Sequence, residues 1–268
     1  MPPLADDPTS GSTDDETATA RPTPAPVQPP ARGIIDFLWG AVATALAVLH
    51  TIVCASLTAI AALFGRPHMV TRITRLWGLG ILRSCGVKVQ IDGLEHLDGL
   101  GSYVLVCNHQ SFFDIFAICA YIPGQPRFVA KQELARIPLI GFTMRHSGHI
   151  LIDRARGGQA IRRALKTARE GYSIVVFAEG TRFSDNRVHP FNDGAAWLAI
   201  ATRLKCVPMA ISGTASFFPR GARTVRPGGR MRMSIGPAID TTHLHGADRE
   251  ALTNQLEQSV RALFRSDV

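Results

Sequence analysis

The stretch Asn108-His109-Gln110-Ser111-Phe112-Phe113-Asp114 lies between two apolar runs, Tyr103–Cys107 before it and Ile115–Cys119 after it. The first run has the length of a buried strand, and the second belongs to a helix-like segment over Phe113–Tyr121. A strand that gives way to a helix through a histidine leaves an imidazole at the mouth of a sheet. Asp114 follows His109 by one helical turn, so its carboxylate can hold one ring nitrogen. The other nitrogen is then free to take a proton from a hydroxyl.

Spacing alone carries little weight. With nine His and fourteen Asp, about half of one such pair is expected by chance. His243 and Asp248 do repeat the spacing, but they sit in a polar Thr-Thr-His-Leu-His-Gly connection with no apolar strand directly before it. That pair reads as an exposed helix start.

Outward from His109 the chain alternates. Strand-like runs are Val87–Ile91, Tyr103–Cys107, Arg127–Ala130, Ile150–Ile152, Ser173–Phe177, Val207–Ile211 and Met231–Ile235. Helix-like runs are Phe113–Tyr121, Pro138–His146, Gln159–Glu170, Gly194–Leu204 and Asp248–Phe264, the last with Leu252, Leu256, Val260 and Leu263 on one stripe. Alternation of this kind predicts an α/β fold, a mixed, mostly parallel sheet covered by helices. No internal repeat is visible.

The N-terminal third differs. Residues 1–33 are rich in Pro, Thr, Ala and Asp and show no apolar periodicity, which predicts a disordered tail. Ile34 to Phe64 is almost continuously apolar, with no charge from Trp39 until Arg66. As one helix it would be about 46 Å long, against roughly 30 Å of bilayer hydrocarbon, so it can span with tilt or bend and re-enter. Met69 to Ser84 mixes apolar and aromatic residues with Arg72, Arg75 and Arg83, as a helix at a lipid surface does. Residues 34–85 are therefore a membrane-associated helical segment, and residues 86–268 the α/β domain. Arg66, Arg72 and Arg75 follow the apolar run while only Arg32 closely precedes it, which places the domain on the cytoplasmic side of the inner membrane.

Charge agrees. The net +8 is the sum of −3 over residues 1–33 and +11 over the rest. A basic body suits an anionic partner such as a phospholipid surface or a phosphorylated substrate. No Lys/Arg block or aromatic-interleaved motif favours nucleic acid. Five cysteines without a C-x-x-C pair read as reduced core residues, not as a disulfide framework or zinc site.

Two further groups share the chemistry. Glu179-Gly180-Thr181-Arg182 follows the strand Ser173–Phe177 and would bring a carboxylate, a flexible glycine, a hydroxyl and a guanidinium to the rim that holds His109. The forked donors of Arg match a phosphate. Lys131 and Arg154 also follow strands and are candidate anion contacts. Val207-Pro-Met-Ala-Ile-Ser-Gly-Thr214 ends in small polar residues suited to a pocket floor.

Four ordered blocks, NHQSFFD, GHILIDR, EGTR and VPMAISG, resemble the glycerolipid acyltransferase family that makes phosphatidate from lysophosphatidate. The resemblance covers about residues 70–245. It implies that His109 and Asp114 are the catalytic pair and that Glu179, Gly180, Thr181 and Arg182 bind the acceptor's phosphate. It implies an acyl donor, acyl-CoA or acyl carrier protein, as co-substrate, membrane lipids as partners, and no metal or other cofactor. Two positions depart from the family's usual pattern, Ala178 where Pro is common and Phe183 where Ser is frequent. Other acceptors, glycerol 3-phosphate or lyso-ornithine lipid, fit the same scaffold. A non-catalytic lipid binder fits less well, because it has no need of a base.

Overall fold

The computed structural model describes residues 33–124, 126–137, 140–152 and 157–268. The expected N-terminal tail, all but Gly33, lies outside them. Two helices open the chain, α1 (Ile34–Leu63) and α2 (Pro67–Ser84). The α/β part runs β1 (Lys88–Asp92), β2 (Val104–Cys107), α3 (Phe113–Tyr121), β3 (Arg127–Lys131), α4 (Ile140–His146), β4 (Ile150–Ile152), α5 (Gly157–Arg169) and β5 (Ile174–Phe177). It finishes α6 (Gly194–Thr202), β6 (Cys206–Ser212), α7 (Thr214–Phe217), β7 (Arg230–Ile235) and α8 (Arg249–Leu263).

The expected strands all form, each within a residue or so at its ends. Together they make a seven-stranded sheet in the order β1-β7-β6-β2-β5-β3-β4. The neighbours from β6 through β2, β5 and β3 to β4 are parallel, and β7 runs antiparallel to β6 and parallel to β1. The sheet is therefore mixed and mostly parallel, as the alternation predicts. Short single-turn elements at Leu94–Leu97, Gln132–Arg136 and Thr214–Phe217 have no periodicity to announce them and escape the sequence reading.

The period of two along the strands assigns the two faces. Leu105, Cys107, Val175, Val207 and Met209 join the core under α2 and α3. Val104, Val106, Ile174, Val176 and Cys206 join the core with Ala164, Ala195, Leu198 and Leu252 of α5, α6 and α8. All five cysteines are free thiols. β2 has covered strands on both sides and helices on both faces, so whatever its C-terminal end presents is rigidly placed.

The leading helices attach to this body by different means. On α2, Val70, Gly78, Ile81 and Leu82 are buried while Arg72, Arg75 and Leu76 are exposed. One face of α2 therefore packs on the body and the other is exposed. Gly78 lets α2 approach α3 closely, since a Cβ there would collide with the carbonyl of Phe116. Trp77 then meets Phe116 edge-to-face at 5.0 Å. On α1 the buried positions are small, among them Gly40, Ala43, Cys54, Thr58 and Ala61. Polar contacts fix that face: Trp77 Nε1 donates to Thr51 Oγ1 at 3.1 Å, and the Val225 amide to Thr44 Oγ1 at 3.0 Å. The opposite side leaves Leu38, Trp39, Val42, Leu46, Leu49 and Val53 about half exposed.

Candidate active site

β2 ends by substitution of a side chain for a backbone. Asn108 is fully buried, and its amide both donates to the Ile211 carbonyl and accepts from the Ile211 N–H, each at 2.8 Å. These two bonds imitate one further rung of the ladder to β6. They release the main chain to turn outward, and His109 is the first residue beyond the sheet.

The His109 ring stacks on Phe177, the last residue of β5, with centroids 3.8 Å apart. Its Nδ1 lies 2.8 Å from Asp114 Oδ2. A carboxylate only accepts, so Nδ1 carries the hydrogen and Nε2 presents its lone pair. Asp114 sits in the first turn of α3, fully buried. The same Oδ2 also accepts from the amides of Gln110 at 2.7 Å and Ser111 at 2.9 Å, and Oδ1 accepts from Thr214 Oγ1 at 2.7 Å. Four donors therefore converge on one carboxylate at a helix N-terminus, where a negative charge is favoured.

The second loop is tied to the first back to back. Phe183 N donates to the His109 carbonyl at 3.0 Å, and His109 N donates to Glu179 Oε2 at 2.9 Å. Glu179 Oε1 accepts from His189 N at 2.9 Å. Glu179 is thus a buried bracket between the loops, pointing inward. Burial pushes its carboxyl up to about 8, and the His189 and His109 amides pull the other way. Gly180 has φ +68°, a left-handed conformation that suits glycine, and it closes a turn onto the Phe177 carbonyl at 3.0 Å. Thr181 is half-buried beside it. The Arg182 guanidinium lies 3.9 Å from the centroid of the Phe112 ring. Burial first, and then repulsion by Arg220, lower its hold on its proton.

The two positions that depart from the usual block are both used. The Ala178 N–H donates to Cys107 O at 2.9 Å, a bond a proline would forfeit. Phe183 stacks on His189 at 3.8 Å, and His189 Nε2 is 2.8 Å from Asp185 Oδ2, which stiffens the far side of the loop.

The fold therefore brings His109, Asp114, Glu179, Gly180, Thr181 and Arg182 together. Lys131 stands exposed at the C-terminal end of β3, which β5 separates from β2. Arg154 lies outside the described residues. His243 is exposed, and Asp248 takes the His245 amide at 2.8 Å as a helix cap, so that second pair is no dyad. Asn108, Phe177 and Thr214 hold the site and were missed. Asn108 lies in the NHQSFFD block but with no role assigned to it, and Thr214 lies in the small polar end of the Val207–Thr214 block, which points only to a pocket floor. Chemically, the arrangement offers a held imidazole with one open nitrogen and a nearby cation.

A family model described as acyltransferase matches residues 88–212. The 1-acyl-sn-glycerol-3-phosphate acyltransferase alpha of Bos taurus is 32% identical over 224 residues, covering 82% of this chain and 75% of its own length. The Homo sapiens protein of that name is 31% identical, covering 82% and 76%. Among solved structures, the 1-acyl-sn-glycerophosphate acyltransferase PlsC of Thermotoga maritima superposes with a TM-score of 0.73 at 23% identity, over 85% of this chain and 95% of that one.

Proposed function

From the premise that this chain belongs to the acyltransferase family, together with the 1-acyl-sn-glycerol-3-phosphate acyltransferases, we propose how its site transfers an acyl chain to the free hydroxyl of lysophosphatidate, giving phosphatidate. One observation carries the mechanism: Asp114 occupies Nδ1 of His109 at 2.8 Å, leaving Nε2 as the base. Nε2 removes the proton of the acceptor hydroxyl. The oxygen attacks the thioester carbonyl of acyl-CoA or acyl carrier protein, the carbon–sulfur bond breaks, and the imidazolium returns its proton to the departing thiolate. The thioester is already activated, so positioning supplies much of the rate and no acylated side chain is required. Arg182 takes the acceptor phosphate.

Thiol release measured with lysophosphatidate, glycerol 3-phosphate and lyso-ornithine lipid tests the acceptor, and lysophosphatidate should be used best. Arg182→Ala should raise the KM for lysophosphatidate about ten- to a hundredfold, because a charge-assisted hydrogen bond is worth roughly 1.5–3 kcal/mol. Arg182→Lys should recover only part, lacking the fork. A raised donor KM with an unchanged acceptor KM would move Arg182 to the donor.

The lipid side follows from α1, one helix long and apolar enough to cross a membrane. Its exposed face belongs in lipid, with Arg66, Arg72 and Arg75 against anionic headgroups on the cytoplasmic side of the inner membrane. Leu38, Val42 and Leu49 lie on one such face, at 57%, 52% and 58% exposure. The triple replacement by lysine should shift the protein from the membrane pellet to the supernatant with little change in Tm, since the lysine stems can cover the packed half of each position and each ammonium is costly in hydrocarbon. Unchanged flotation with anionic vesicles would remove α1 from the lipid.

A further inference from the structure

The segment between α7 and β7, residues 218–229, docks on both loops of the site although it lies far from either in sequence. Ser111 Oγ donates to the Phe218 carbonyl at 2.7 Å. The Arg220 amide donates to Ser184 Oγ at 2.7 Å, and that hydroxyl donates to the Gln110 carbonyl at 3.2 Å. The Phe218 ring meets Phe112 at 6.5 Å and Phe113 at 5.7 Å, and Phe112 is the ring under Arg182. From these contacts we infer that Arg220 is a second arginine of the acceptor-phosphate clamp, working beside Arg182.

The charge arrangement supports this. Arg220 stands close enough to repel Arg182 and is the next cause after burial of that group's weakened hold on its proton. Among the described residues no carboxylate pairs with either guanidinium. The buried Asp114 carboxylate offsets part of the repulsion at Arg182, and an anion bound by both guanidiniums would relieve the rest. A phosphate monoester offers three acceptor oxygens, enough for two forks. Among the described residues no hydrogen bond or ion pair engages the exposed Arg220 guanidinium, and the loop is fixed through the backbone amide of that residue. Replacing the side chain therefore removes a charge and leaves the docking intact. Coenzyme A also carries phosphates, and the two sources separate kinetically.

This inference rests on lysophosphatidate as acceptor, and the test keeps the two apart. The full-length protein is assayed in vesicles, varying lysophosphatidate at saturating acyl-CoA, then varying acyl-CoA, then with a phosphate-free monoacylglycerol. Arg220→Ala should raise the lysophosphatidate KM about fivefold, a modest effect because the group is exposed. The kcat, the acyl-CoA KM, the Tm and the monoacylglycerol KM should stay put. Arg220→Lys should recover only part of the loss, lacking the fork, and 0.5 M salt should shrink the gap. An unchanged lysophosphatidate KM in Arg220→Ala, a raised acyl-CoA KM, or an equal rise with monoacylglycerol would overturn the clamp while the activity stands. Wild-type protein that acylates monoacylglycerol and ignores lysophosphatidate would overturn the activity reading and the clamp with it.

Discussion

His109→Ala should slow acyl transfer by about 10²–10⁴-fold, the usual contribution of a positioned general base. The fold should survive. The ring makes one stacking contact with Phe177 and one bond with Asp114, and the loop is held through the main chain, by His109 N to Glu179 and by Phe183 N to His109 O. The loss should fall on kcat, because the proton moves only as the acceptor reacts. His243→Ala is the control and should change nothing, since His243 is exposed and Asp248 is committed to the His245 amide. Stopped-turnover assays of both variants decide it. Near wild-type transfer by His109→Ala would assign the base elsewhere.

Asp114→Asn should cost about ten- to a hundredfold in kcat with little change in Tm. The reason lies in the four donors around that carboxylate. An asparagine can keep its oxygen toward His109, Gln110 and Ser111 and turn its amide toward Thr214, whose hydroxyl also accepts. The hydrogen bonds persist, but the negative charge that stabilises the imidazolium is gone, and a charge-assisted bond is worth about 1.5–3 kcal/mol. Asp114→Ala should instead lower the Tm, because it strands buried donors. The double variant His109→Ala/Asp114→Asn should be no slower than His109→Ala alone, since the carboxylate acts through the ring. Losses that add would give Asp114 a part of its own.

What the sequence shows of this site is local, and what it hides is long-range. NHQSFFD carries its own meaning, because histidine and aspartate lie a turn apart and the apolar runs on either side mark the strand and helix. The strands are legible for the same reason, and so is the change from a long apolar helix to an α/β body. The sheet order is not legible. Nothing in Arg230–Ile235 announces that this strand runs against β6 and carries β1 beside it. Thr214 is 100 residues from Asp114, and Asn108 finds Ile211 at a similar remove. Such pairs are set by register, which one sequence does not display. Glu179 shows the converse difficulty. A carboxylate after a strand suggests a rim contact with substrate, yet here it turns inward to hold two backbone amides. On α1, continuous apolarity says lipid, and only the spacing of its small residues marks the side that meets the domain.

The segment between α7 and β7 also bears on how this chain can change over generations. Surface loops usually absorb insertions and deletions freely. This one is moored at both ends and in the middle through main-chain groups. Phe218 O is held by Ser111, Arg220 N by Ser184, Val225 N by Thr44 on α1, Arg226 N by Phe217 O and Gly228 N by Cys85 O. Exposed positions such as Arg223 can vary, but adding or removing one residue would break several moorings at once. The loop should therefore keep its length even where exposed positions vary, because it measures a fixed span from α1 to the loop that carries the histidine.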